Sequence, residues 1–155
     1  TEERFKENNP NYRTEYNKEY QPNPMYKAEY REKNKHKSRW RDILKNALDQ
    51  LGQKKEDTTR ELLRYSPLDL KEHLDSLDYN PKTQDMDHKI PISWFIDTAP
   101  AHIVNNLKNI HPLDRTENRK KLNHYSHPVE ESYYKDALPY IKEEYYERVT
   151  RCVSK

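Results

Sequence analysis

The sequence predicts an α+β protein that is mostly helical, and three observations carry the prediction. The chain holds one glycine, Gly52, beside ten prolines; this balance disfavours flexible linkers, Gly-rich phosphate loops and tight primed hairpins, and leaves helices punctuated by Pro. Trp40, Ile43, Leu44, Ala47, Leu48 and Leu51 recur at helical spacing in one unbroken stripe. Two short extended pieces, residues 87–91 and 110–113, are placed to pair as a small antiparallel ribbon, with a helix beginning near Thr116 to cross it.

Leu, Ile, Val and Phe together supply 26 of 155 residues, about 17%, under the roughly 20% below which highly charged chains tend to disorder. The net charge is only +2, from 29 basic and 27 acidic residues, so the charge half of that criterion fails. Cys152 is the sole cysteine, which excludes an internal disulfide or a Cys-based structural zinc site. No apolar run approaches the roughly 18 residues of a membrane span, and no signal-peptide core opens the chain. A soluble cytoplasmic protein without a membrane partner is the expectation.

Residues 1–37 form a polar arm. Tyr12, Tyr16 and Tyr20 lie four apart, as do Tyr26 and Tyr30, with Pro10, Pro22 and Pro24 as breaks. So few aliphatics bury little. The arm reads either as a solvated segment or as a basic, Tyr-bearing strip lying along a nucleic-acid backbone.

Ser38 is a plausible N-cap for the striped helix, and Gly52 stands where a left-handed C-cap belongs. A short helix over residues 59–65 uses Leu62 and Leu63. Ser66 and Pro67 then read as N-cap and first-turn proline of a helix whose face is Leu70, Leu74 and Leu77, ending before Asn80-Pro81. After Pro128, Ile141, Tyr145 and Val149 lie four apart and predict a terminal helix; the Tyr side chains there are expected to pack in the core.

The chemistry lies between these scaffolds. Asp87 directly precedes His88, with Pro91 three residues on; then come Asn109, Pro112 and Leu113, and finally Asn118 before Arg119, Lys120 and Lys121. Folded as a ribbon and crossing helix, these bring oxygen donors and one imidazole to one point. Hard divalent cations accept a few oxygen ligands plus water and phosphate, and a histidine titrating near neutrality can take a proton from water.

These residues resemble the HNH, or His-Me finger, endonucleases with their ββα-metal motif, phage-type members above all: an Asp-His-x-x-Pro element, an Asn-x-x-Pro-Leu element, and an Asn nine residues later before a basic pair. The likeness runs over residues 58–123 and includes Tyr65, Leu70, His73 and Leu74 in the helix ahead of the motif. It implies the following roles. His88 would be the general base and Asn109 would pin the inter-strand loop so that His88 is aimed correctly. Asp87 and Asn118 would hold one Mg²⁺ or Mn²⁺, stabilising the phosphorane-like charge and the leaving 3′ oxygen. Arg115, Arg119, Lys120 and Lys121 would contact phosphates of a double-stranded DNA substrate.

The implied organisation is an N-terminal arm over 1–37, a nuclease domain over 38–127 with its finger core at 85–123, and a helical tail over 128–155, in a bacterial host cell and encoded by a phage or mobile element. The sequence departs from the family at Asp85, where relatives often carry His, in its short approach over residues 79–84, and in lacking zinc-binding Cys pairs. Packing of Ile90, Ile92, Trp94, Phe95, Ile110 and Leu113 must then hold the finger together. His73, His102 and His111 read as packing or surface residues, and His124 and His127 as surface loop. The rival reading is a non-catalytic nucleic-acid-binding protein that keeps the finger as a scaffold. Oligomeric state stays open.

Overall fold

The computed structural model describes residues 23–122, 124 and 127–153; the expectations for Tyr12, Tyr16 and Tyr20 fall outside them. Two compact units are present, Thr1–Lys35 and His36–Lys155. In the first, α1 (Pro24–Lys33) starts at Asn23, whose side chain accepts the Met25 N–H, and has proline in its first turn. None of its residues is buried. Tyr26 and Tyr30, one turn apart, are exposed with ring centroids 6.3 Å apart.

Among its described residues the second unit is α+β, with helix dominating and one two-stranded sheet. Its first helix, α2 (Lys35–Leu51), starts before the expected N-cap, so Ser38 lies inside it; no Gly or Pro interrupts residues 35–38, and nothing there forces a start. The six stripe residues are its buried ones. Gly52 follows with φ +68, the left-handed end that glycine adopts without cost.

α3 (Thr59–Leu63) is closed by a capping box of Thr58 and Glu61, and Arg64 ends it with φ 61. That left-handed residue stops the helix short of Tyr65 and frees Ser66 to cap α4 (Pro67–Ser76), where Ser66 and Asp69 form a second capping box. Leu70 and Leu74 are buried, but Leu77 is the C-cap residue and exposed, outside the predicted face.

β1 (Gln84–His88) pairs antiparallel with β2 (Ile110–Asp114), with Asp87 opposite His111 and His88 opposite Ile110. The first strand thus begins and ends earlier than the sequence suggested. Beyond His88 only the Lys89 N–H continues the ladder, bonding to the Asn109 carbonyl at 2.7 Å; Ile92–Trp94 then close a 3₁₀ turn. Between the strands lies the short α5 (Ala101–Val104). α6 (Arg115–Lys121) follows β2 directly, its N-terminal N–H groups of Thr116 and Glu117 bonding to the Asp114 carboxylate.

The C-terminal residues are not one helix. α7 (Glu131–Ala137) and α8 (Tyr146–Thr150) are separated by 3₁₀ turns. Ile141, expected on a helical face, instead bridges to Phe95 as a strand-like pair; Pro139 lies in the preceding 3₁₀ turn and Ile141 takes extended backbone. Nor is the segment an appendage: Val129, Tyr133, Ala137, Ile141, Val149 and Cys152 share one core with Ile90, Ile92, Trp94 and Phe95. The buried Tyr133 donates its hydroxyl to the Ile103 carbonyl at 3.0 Å. A second core gathers Trp40, Leu44, Leu63, Leu70, Leu74 and Ile110. α2 serves both, through Ala47 and Leu51 on one side and Trp40, Ile43, Leu44 and Leu48 on the other. No helix among the described residues is long and apolar enough to cross a membrane.

Candidate active site

Residues opposite one another in an antiparallel pair share a face, and neighbours along a strand point to opposite faces. The register therefore puts Asp87 with His111 on one side of the ribbon and His88 with Ile110 on the other. α6 closes over the Asp87 side. Asn118 and Lys121, three apart on that helix, are the positions withdrawn from solvent, whereas Glu117, Arg119 and Lys120 are exposed.

His88 is buried, and its Nε2 stands 2.9 Å from Asn105 Oδ1. The Asn105 amide nitrogen donates to the Ala101 carbonyl at 3.0 Å, which turns its oxygen toward the imidazole. Nε2 consequently carries the proton and Nδ1 is the basic nitrogen. Burial pushes the His88 pKa below the ordinary histidine value, against the opposing pull of Asn105 and Asp87. The ring is thus neutral at neutral pH and ready to accept a proton. It borders a cleft of about 250 Å³ lined also by Asp42, Ile43, Asn46, Met86, Asp87 and Ile110. The wall contributed by α2, with Asp42 and Asn46 one turn apart, had no signal in the sequence.

Asn109 is fully buried and bonds only to backbone. Its Oδ1 accepts the Ile90 N–H at 2.8 Å, and its Nδ2 donates to the carbonyls of Ile90 at 3.3 Å and Val104 at 2.9 Å. These three bonds fix the chain as it leaves β1, immediately after His88.

Asp87 is the charged centre. The Lys121 ammonium donates to Asp87 Oδ2 and, at 2.5 Å, to the His88 carbonyl; the lysine side chain is almost wholly enclosed. His111 Nε2 lies 3.5 Å from the same carboxylate oxygen. Burial raises the Asp87 pKa, but hydrogen bonds from His111 and Lys121 and the lysine charge outweigh it and hold the carboxyl below its ordinary value. The carboxylate is therefore ionised and already accepts a positive charge. Among the described residues, no three His, Cys, Asp or Glu side chains group to hold a metal. Asp87 offers a carboxylate and Asn118, half-buried on α6, carries an amide oxygen; donors of these types suit a hard cation completed by water and phosphate. The Lys121 ammonium is seated on Asp87, so a divalent ion would bind this carboxylate only in place of that ammonium.

The predicted basic residues separate. Arg115 is engaged within the fold: Nε donates to Asp85 at 3.1 Å, and its terminal nitrogens donate to the carbonyls of Lys82 and Pro81 at 3.1 and 3.0 Å. Asp85 is its counter-ion. Lys121 is engaged at Asp87. Arg119 and Lys120 remain exposed and make no ion pair among the described residues. Among the histidines, His73 Nε2 meets the Ile110 carbonyl at 2.7 Å and ties α4 to β2. His111, expected to be a packing or surface residue, stands buried beside Asp87, with the His127 ring centroid 4.2 Å from its own. Sequence spacing missed His111 and Asn105 because only the strand register and the turn after α5 bring them to the site.

The chain matches no family model, no curated protein and no solved structure.

Proposed function

We propose that the protein is a metal-dependent endonuclease of the HNH type that hydrolyses phosphodiester bonds in DNA, with double-stranded DNA as substrate. The observation that carries this reading is His88: a neutral imidazole, its proton fixed on Nε2 by Asn105, bordering a cleft that the neighbouring Asp87 also lines, although the strand register turns the two side chains to opposite faces of the ribbon. In this reading His88 Nδ1 takes the proton from the attacking water as oxygen bonds to phosphorus, and the 3′ oxygen departs. Asn109 keeps the backbone after His88 in place, so the ring stays aimed. Asp87 and Asn118 hold one Mg²⁺ or Mn²⁺, which when bound supplies charge stabilisation for the transferring phosphate and the leaving oxygen. Arg119 and Lys120, exposed at the end of α6, neutralise flanking phosphates, and affinity falls steeply with salt.

One observation favours a second reading, a non-catalytic DNA-binding module: the Lys121 ammonium already neutralises Asp87. A plasmid-nicking assay separates the two. Nicking with Mg²⁺ or Mn²⁺ that EDTA and His88→Ala each abolish supports the nuclease. DNA retention without nicking under every metal condition supports the module. Cleavage indifferent to EDTA or to the substitution refutes general-base catalysis by His88 at a metal-loaded site.

A further inference from the structure

Helix α1 carries chemistry that the proposed reaction leaves unused. None of its residues is buried, and Tyr26 and Tyr30 are 62% and 58% exposed. Their ring centroids stand 6.3 Å apart with the planes inclined at 31°, so neither ring lies flat on the other and each keeps a face open to a ligand. At about 100° per residue, Tyr26, Tyr30 and Lys33 fall within about 60° of one another, and Lys27 and Arg31 continue that flank of the helix. Glu29 and Glu32 fall on the other flank, where Glu32 pairs with Lys35 at 3.4 Å. Lys27, Arg31 and Lys33 are exposed and make no ion pair among the described residues. The tyrosine pair is therefore bordered by unpaired cations. The sequence spells this unit twice: Asn23-Pro24-Met25-Tyr26-Lys27-Ala28-Glu29-Tyr30 repeats Asn9-Pro10-Asn11-Tyr12-Arg13-Thr14-Glu15-Tyr16. Asn-Pro, both Tyr, the basic residue after the first Tyr and the Glu before the second recur in order. The earlier copy lies outside the described residues; in the later one the recurring rings pack no core, which points to recognition rather than to folding.

We propose that α1 is a docking platform for single-stranded DNA, with unpaired bases stacked on Tyr26 and Tyr30 and the strand's phosphates running along Lys27, Arg31 and Lys33. Exposed aromatic rings interleaved with cations suit this ligand because every base has a π-face and every nucleotide a negative charge, so the platform needs no particular sequence. A duplex would offer its phosphates to the cations but no base face to the rings, since its bases are already stacked on one another. A second copy of the chain docking through the same face would set like charges against each other. The inference goes beyond the endonuclease reading and rests on it only for the choice of DNA over RNA.

The test is fluorescence anisotropy with the whole chain in EDTA, using an end-labelled oligothymidylate, the matching oligouridylate and a DNA hairpin. Photo-cross-linking to a strand carrying 5-iododeoxyuridine, and sedimentation velocity of the chain alone, accompany it. α1 buries none of its residues, so alanine there removes no core contact. Tyr26→Ala and Tyr30→Ala are each expected to weaken oligothymidylate binding about tenfold, while Tyr26→Phe and Tyr30→Phe, which keep the ring, stay within about twofold of wild type. Hairpin binding stays within about twofold in all of these variants. Lys27→Ala lowers the log–log salt slope for the single strand by about 0.7, and the cross-links map to Tyr26 or Tyr30. Alanine variants that bind oligothymidylate like wild type overturn the inference, as do Phe variants as weak as the Ala ones, cross-links confined to other residues, or an equal loss on the hairpin. Oligouridylate bound about tenfold or more tighter than oligothymidylate overturns DNA as the occupant. A dimer that Tyr26→Ala and Tyr30→Ala dissolve overturns it in favour of a second copy. Because EDTA removes metal-dependent cleavage from the measurement, nicking without binding through α1 overturns this inference alone, and binding through α1 without nicking overturns the endonuclease reading alone.

Discussion

Replacing Asn109 by Ala should destabilise the protein severely without touching the surface. The side chain is fully buried and holds three backbone groups. Its removal strands the Ile90 N–H, a cost of about 1–3 kcal/mol for a buried orphan donor. The carbonyls of Ile90 and Val104 lose a donor as well, and a full hydrogen-bond equivalent for the 2.9 Å contact adds about 1 kcal/mol. A loss of about 3 kcal/mol is a large part of the 5–15 kcal/mol typical of a domain. With a urea slope near 2 kcal/mol per molar, the unfolding midpoint falls by about 1.5 M. Far-UV circular dichroism in urea, with EDTA present so that metal plays no part, measures it. Asn109→Asp should cost at least as much, because it keeps an acceptor for Ile90 but turns a carboxylate oxygen toward two carbonyls. A loss below about 1 kcal/mol for the Ala variant would refute the account of Asn109 as the pin of this loop.

The pH dependence of stability follows from His88. Its folded pKa is lowered by burial, so below the ordinary histidine value of about 6.5 the unfolded chain binds a proton that the folded chain resists. In EDTA, stability should be level above about pH 6.5 and fall as pH drops toward 5, His88 contributing a slope of at most about 1.4 kcal/mol per pH unit for its one proton; His88→Gln should reduce that slope but not abolish it, because burial lowers the pKa values of His102 and His127 as well, and Asp87 should add a further loss as pH falls below the ordinary carboxyl value of about 3.9 and through its lowered folded pKa. Arg115→Ala should lower the melting temperature because the guanidinium holds residues 81, 82 and 85. Arg119→Ala and Lys120→Ala should leave it unchanged while reducing the salt slope of DNA binding by about one each; fluorescence anisotropy across a salt series decides this. Gly52→Ala meets no atom within 4 Å of the new Cβ, so only the left-handed backbone resists it, about 1 kcal/mol, read in a thermal melt as a drop of about 2–4 °C.

Helix α2 was legible because its apolar positions follow the 3.6-residue period without a break, and Gly52 marked its end for a steric reason. Its start was not, since propensity alone does not halt a helix at Ser38. β1 was harder still: Gln84, Asp85, Met86 and Asp87 show no clean alternation, and the strand exists through its pairing with β2. Ile141, Tyr145 and Val149 imitated a helical face, but Ile141 is spent on the bridge to Phe95. Within the site, Asp87, His88, Asn109 and Asn118 could be singled out because they fall in short, ordered motifs. Asn105 and His111 could not, because what makes them functional candidates is a hydrogen bond across 17 residues and a register between strands.

The sharing of α2 between two cores has a consequence for how the second unit comes apart. The segment that follows β1 (Ile90, Ile92, Trp94, Phe95) with its C-terminal cover, and the scaffold helices α3 and α4 with Ile110 of the ribbon, each lean on a different side of one helix. Opening one layer exposes Ala47 and Leu51 and opening the other exposes Trp40, Ile43, Leu44 and Leu48 of the same helix, so partial opening gains little entropy for the apolar area it releases. The amides of α2 from about Ile43 to Leu51 should therefore exchange with deuterium only through global unfolding, while α1, which buries none of its own residues, exchanges by local fraying. Two thin cores become one cooperative folding unit because neither can do without the helix between them.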